Sequence, residues 1–175
     1  MQEILERKVS ISIFPSLPFG VKKVRLPDIE HYAPSTANEA NTPQERLLKY
    51  GALCKVIVSK QFSLPGENAI SVLALIDSGS EITGIDRSVC SELDIMMEEQ
   101  TRRITSSTHV DYEQDTANFR LTLPEFNFSR EIVNGGVIAH LAEKTGAHVL
   151  LGRDVLQYFK MNWNGPAGEM DLDLG

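Results

Sequence analysis

A chain of 175 residues with 42% hydrophobic side chains holds enough apolar surface for one domain with a sizeable core, and too much for a fully disordered chain. Its formal net charge of −7 argues against a partner recognised through nucleic-acid phosphates, which needs clustered Lys and Arg. Cys54 and Cys90 are too few for a disulfide framework and lack metal-site spacing, so they read as buried thiols of a reducing compartment.

The N-terminal stretch MQEILERKVSISIFPSLPFG scatters charge through its apolar residues and does not read as a signal peptide. No window reaches the roughly 18 apolar residues of a membrane span. A soluble, cytoplasmic protein without a membrane partner is expected. Within that stretch, KVSISIF alternates Val9, Ile11 and Ile13 with serines and predicts a short strand, ended by PSLPFG. Residues 33–42 are small and polar, as in a linker. The helix TPQERLLKYG follows, with Thr42 as N-cap, Pro43 in the first turn, Glu45 completing a capping box and Gly51 as the stop. The chain thus divides into an extension and linker, 1–41, and a compact domain, 42–175.

From there the pattern is mainly β. ALCKVIVSK and AISVLALID are apolar strands separated by a turn in QFSLPGEN. DRSVCSELDI predicts a short helix capped by Asp86, with Val89, Cys90 and Leu93 on one face. RRITSSTHVDY and TANFRLTL read as strands, EFNFSREIV as a further strand, and NGG as a turn. HVLLGRDVLQYF begins as a buried strand, breaks at Gly152 and continues as a helix. MNWNGPAGEMDLDL closes the chain as a hairpin turning at NGPAG. Phe159 and Trp163 are expected in the core.

Asp77 stands out in LALIDSGSEITGID, because a carboxylate ending a buried strand is costly unless it is paired or used. ALIDSGS at 74–80, followed later by VLLGRDVL at 149–156, resembles the retroviral-type (retropepsin-like) aspartic peptidases, and bacterial single-domain members in particular. The resemblance covers about residues 52–165. It implies a single-lobe acid-protease β-barrel with short helices, active as a symmetric homodimer with no cofactor.

In such enzymes two carboxylates share a proton across a water, one acting as base and the other hydrogen-bonding the scissile carbonyl; aspartic-protease dyads are a standard example of this coupling. The chain supplies one such triplet, since DTAN at 115–118 lacks the glycine. The resemblance therefore implies that Asp77 of each of two subunits completes the dyad. Ser78, Gly79, Ser80 and Gly152 would support the active-site loops. Arg153 would pair with Glu81, with Asp86 as the alternative partner. The glycine-free TSSTHVDYEQD would supply the flap, with Ser106, Ser107 and Thr108 small enough to close over a peptide or protein substrate.

Other chemistries fit less well. His109, His140 and His148 follow no familiar metal-ligand spacing, so no metal is expected. IDSGS lacks the G-x-S-x-G elbow of a serine nucleophile. The alternative from another class is a catalytically silent module of the same fold, used for dimerisation or peptide binding.

Overall fold

The computed structural model describes residues 8–12, 42–63, 68–104 and 112–174. In chain order these form β1 (Lys8–Ser12), α1 (Pro43–Tyr50), β2 (Leu53–Lys60), β3 (Ala69–Ile76), β4 (Gly84–Asp86), α2 (Arg87–Glu92), β5 (Met97–Ile104), β6 (Tyr112–Leu123), β7 (Phe128–Ile138), α3 (Leu141–Thr145), β8 (Val149–Leu151), α4 (Arg153–Leu156), β9 (Phe159–Asn164) and β10 (Glu169–Leu174). Single 3-10 turns precede β7 at Pro124–Phe126 and β10 at Gly165–Ala167. No helix among the described residues is long and apolar enough to cross a membrane.

Six strands close a barrel in the order β2-β3-β8-β4-β7-β6, and β6 returns to pair with β2 from Ile57↔Thr122 to Lys60↔Phe119. Closure works because β6 is long: its later half meets β2 while its earlier half carries β5 on the same edge. Alternation then decides what faces inward. Cys54, Val56 and Val58 of β2 and Phe119, Leu121 and Leu123 of β6 are buried, with Ile85, Val137, Val149 and Leu151 from the other side. At roughly 25 cal/mol per Å² of apolar surface, this interior is the main stabilising contribution.

A second sheet of three strands, in the order β1-β10-β9, packs against the barrel. Met170, Leu172 and Phe159 are buried in it, and the Phe159 ring lies 5.1 Å from Phe126 and 5.2 Å from Phe128 in edge-to-face contacts. Strand 8–12 pairs with β10 from Lys8↔Asp173 to Ser12↔Glu169, so part of the N-terminal extension adds a strand to this sheet.

Several sequence expectations are met in detail. Both halves of the capping box at Thr42 and Glu45 form, and Gly51 ends the helix at φ 76°. Asp86 caps α2, and Val89, Cys90 and Leu93 are buried. Both cysteines are buried thiols, and burial pushes Cys90 up to about 11, with Asp86 adding to the rise and Arg87 opposing it.

Two expectations are corrected. NGG is not a turn: Asn134, Gly135 and Gly136 lie inside β7, where the β6–β7 register slips between Ala117↔Gly135 and Phe119↔Ile132. Trp163 is not core but 58% exposed on β9. In RRITSSTHVDY, residues 102–104 belong to β5 and Tyr112 opens β6, while 105–111 lie outside the described residues.

Candidate active site

The end of β3 places Asp77. Ala74, Leu75 and Ile76 run parallel to Val149, Leu150 and Leu151 of β8, and the Asp77 N–H extends that ladder by donating to the Leu151 carbonyl at 3.1 Å. On the other side the Ile76 N–H donates to the Ala52 carbonyl at 2.9 Å. The backbone entering Asp77 is therefore held from both edges, and the carboxylate emerges half-buried at the rim of the barrel.

The chain then turns sharply. Asp77 Oδ1 accepts the Gly79 N–H at 2.9 Å, and the Asp77 carbonyl accepts the Ser80 N–H at 3.1 Å. One carboxylate oxygen thus closes the turn, as an Asp after a strand commonly does. The other oxygen has no partner among the described residues. Ser78 and Gly79 are exposed, and Ser80 is half-buried with its hydroxyl donating to the Ile82 carbonyl at 2.8 Å.

The junction of β8 and α4 braces this turn from behind. The Arg153 N–H donates to the Ser80 carbonyl at 2.9 Å and the Asp154 N–H to the Glu81 carbonyl at 3.2 Å. Such approach needs glycine at 152: a Cβ there would stand 2.3 Å from the Ile82 carbonyl carbon and 2.7 Å from the Thr83 nitrogen. The Arg153 side chain reaches forward, its Nη1 donating to the carbonyls of Ser78 and Gly79, both at 3.0 Å. Arg153 therefore clamps the loop through the backbone oxygens of Ser78 and Gly79, where the sequence predicts a pair with the Glu81 carboxylate.

Asp86, the alternative partner for Arg153, is engaged elsewhere. Its Oδ1 accepts the Ser88 N–H at 2.8 Å and the Ser88 hydroxyl at 2.6 Å, and its Oδ2 accepts the Ala142 N–H at 3.0 Å. Burial pushes this carboxyl upward, but these donors and the nearby His148 outweigh it, so it sits below the usual carboxylate range.

Two residues of the site carry no assignment in the sequence reading. Thr83 is fully buried; its hydroxyl donates to Asp154 Oδ1 at 2.7 Å and accepts the Gly152 N–H at 3.2 Å. One hydroxyl thereby ties the segment after the Asp77 loop to the β8–α4 junction. The only signal for it was Asp154 directly after Arg153, which reads equally well as a first-turn helix acid.

Sequence and structure thus bring together Asp77, Ser78, Gly79, Ser80, Glu81, Gly152 and Arg153. Ser106, Ser107 and Thr108 lie outside the described residues; the β5 and β6 arms that they join pair as far as Ile104↔Tyr112. Of the three histidines weighed as metal ligands, His140 faces Glu143 at 2.9 Å, His148 is buried, and His109 lies outside the described residues. Among the described residues no three His, Cys, Asp or Glu side chains converge where a metal ion could be held. No family model matches the chain, and no curated protein matches it.

Proposed function

We propose that the chain is a retropepsin-like aspartic endopeptidase, active as a symmetric homodimer on extended polypeptides. The observation that carries this reading is the Asp77 turn. A half-exposed carboxylate keeps one oxygen without a partner among the described residues, on a loop held by backbone bonds to Leu151 and from Arg153 and by the Arg153 side chain. A turn needing only a cap would be served by Asn or Ser and would not require the close interlock at Gly152.

In the dimer, the two Asp77 side chains flank one water and share one proton. The ionised carboxylate takes a proton from the water as its oxygen attacks the scissile carbonyl carbon. The protonated carboxyl gives its proton to the carbonyl oxygen, leaving a neutral tetrahedral diol. Collapse of the diol breaks the C–N bond, and the nitrogen departs with a proton returned from the dyad, giving a carboxylic acid and an amine. Ser78 and Gly79 are exposed on the same loop, as required for small residues where two copies of the loop meet.

A shared dyad makes the Asp77 defect dominant. Asp77→Asn keeps the turn-closing oxygen but removes the second ionisable carboxyl. The variant should fold, dimerise and not cleave a peptide library between pH 4 and 7. Mixed in excess with wild type and allowed to exchange subunits, it should suppress activity toward the wild-type homodimer fraction given by random pairing. Wild-type activity that persists after confirmed exchange, or cleavage by the variant homodimer, would remove the dyad. A catalytically silent dimerisation or peptide-binding module is the second reading, favoured by the absence of glycine from residues 105–111.

A further inference from the structure

We propose that β9 is the edge along which two copies of this chain associate, antiparallel across a two-fold axis at Asn162. In the order β1-β10-β9, β9 is an edge strand among the described residues, and every residue from Lys160 to Asn164 is exposed. Its inward face is apolar and half bare. Met161 and Trp163 are 42% and 58% exposed, whereas their register partners on β10, Leu172 and Met170, are 0% and 4% exposed. The apolar row therefore runs from buried to uncovered within one strand spacing.

Edge strands that remain in water are normally protected by several charges, a proline or a bulge. β9 has one charge, Lys160, no proline, and an unbroken register against β10 from Leu174↔Phe159 to Glu169↔Asn164. Its outward face carries Lys160, Asn162 and Asn164 and no carboxylate, although β10 beside it carries Glu169, Asp171 and Asp173. The acids of an acidic chain are thus withheld from this edge.

The row is complementary to itself. Antiparallel pairing about Asn162 sets Met161 opposite Trp163 of the partner subunit, twice, and sets Lys160 opposite Asn164 of the partner subunit, so no like charges face each other. Pairing about Met161 would instead direct Phe159 at Trp163 of the partner subunit, but Phe159 is already buried against Phe126 and Phe128. The Asn162 axis joins exposed residue to exposed residue. β9 also follows α4 closely, so strand and Asp77 loop are linked through one short helix. The inference concerns association alone and is separable from the peptidase chemistry.

The test uses the full chain. Across an axis at Asn162 the two Cα atoms stand about 4.5–5.5 Å apart, within disulfide reach, while two copies of position 160 stand about 13 Å apart. Under mild oxidation Asn162→Cys should give a covalent dimer and Lys160→Cys should not; both native cysteines are buried. In sedimentation velocity the wild type should be dimeric, and Trp163→Lys should weaken association about tenfold or more, as expected for an aromatic anchor. A monomeric wild type, equal cross-linking of the two cysteine variants, no cross-link from Asn162→Cys, or a dimer indifferent to Trp163→Lys would each overturn the proposal. Cross-linking and sedimentation are read without any substrate, so an inactive but β9-paired dimer would discard the peptidase reading alone.

Discussion

Thr83 shows how much of the site depends on one buried oxygen. Its hydroxyl gives its proton to Asp154 and takes the N–H of Gly152, so both capacities are engaged within the barrel wall. Thr83→Val preserves shape and removes both bonds, leaving a carboxylate and a buried N–H short of a partner. Such orphaned groups cost about 1–3 kcal/mol, and chemical denaturation should read a loss of that size. Thr83→Ser should restore most of it, and if Val and Ser prove equally mild, the hydroxyl does not hold the junction. The Asp77 turn and its interlock at Gly152 and Arg153 were legible in the sequence because residue type and order mark them: an acid ending an apolar strand, a glycine where backbones touch, a cation after it. Thr83 was not, because a buried threonine has no periodic signature and its partners lie 69 and 71 residues away.

At the scale of elements, the helix caps were readable and the β7 bulge was not. Asn-Gly-Gly carries the chemistry of a hairpin turn, since both residue types accept positive φ. Here the same chemistry admits one extra residue into a continuous strand. Asn134 takes φ 55° and donates its N–H to the Asn118 side-chain oxygen at 2.8 Å, while β6 and β7 resume pairing on either side. Local preference is shared by turn and bulge; only the strand partners on both flanks decide between them. α3 was missed for a related reason: its Ala142 N–H is satisfied by Asp86, 56 residues earlier, and its own N-cap is His140 without a side-chain bond. The bulge yields a graded prediction. Asn134→Ala should cost about 1 kcal/mol, because a Cβ-bearing residue without an amide is poorly suited to left-handed backbone, whereas Asn134→Gly should be near neutral. Gly135→Ala should cost about 1–3 kcal/mol, since its Cβ would lie 2.7 Å from the fully buried Phe119 ring. Denaturation midpoints that rank Gly at 134 with Ala would mean that the left-handed conformation is not what the position selects.

For the whole molecule, pH acts on the seam between β4 and β8. The Asp86 N–H donates to the His148 carbonyl at 2.8 Å and the His148 N–H donates to the Leu73 carbonyl at 2.8 Å, so these two residues join β3, β4 and β8. The His148 side chain is buried and its Nδ1 has no partner among the described residues. Burial lowers its pKa from the ordinary 6.5, with Asp86 opposing the shift only in part. The native state then binds fewer protons than the unfolded chain as pH falls below 6.5, so the stability present above that value declines toward the depressed native value. Asp86 acts in the same direction at lower pH: its contribution is present above 3.8 and is lost as pH falls through its lowered native value. Urea denaturation should therefore show stability decreasing from pH 7 to pH 5, with a second decline below pH 4. His148→Leu should flatten the first decline and keep most of the second, which rests mainly on the Ser88 and Ala142 donors to Asp86; an unchanged first slope in that variant would place the titrating group elsewhere. The consequence reaches the proposed chemistry, because the barrel that presents Asp77 weakens under mildly acidic conditions. The proposed peptidase activity, measured against pH, should fall on its acid side together with the folded fraction, and His148→Leu should extend that side to lower pH.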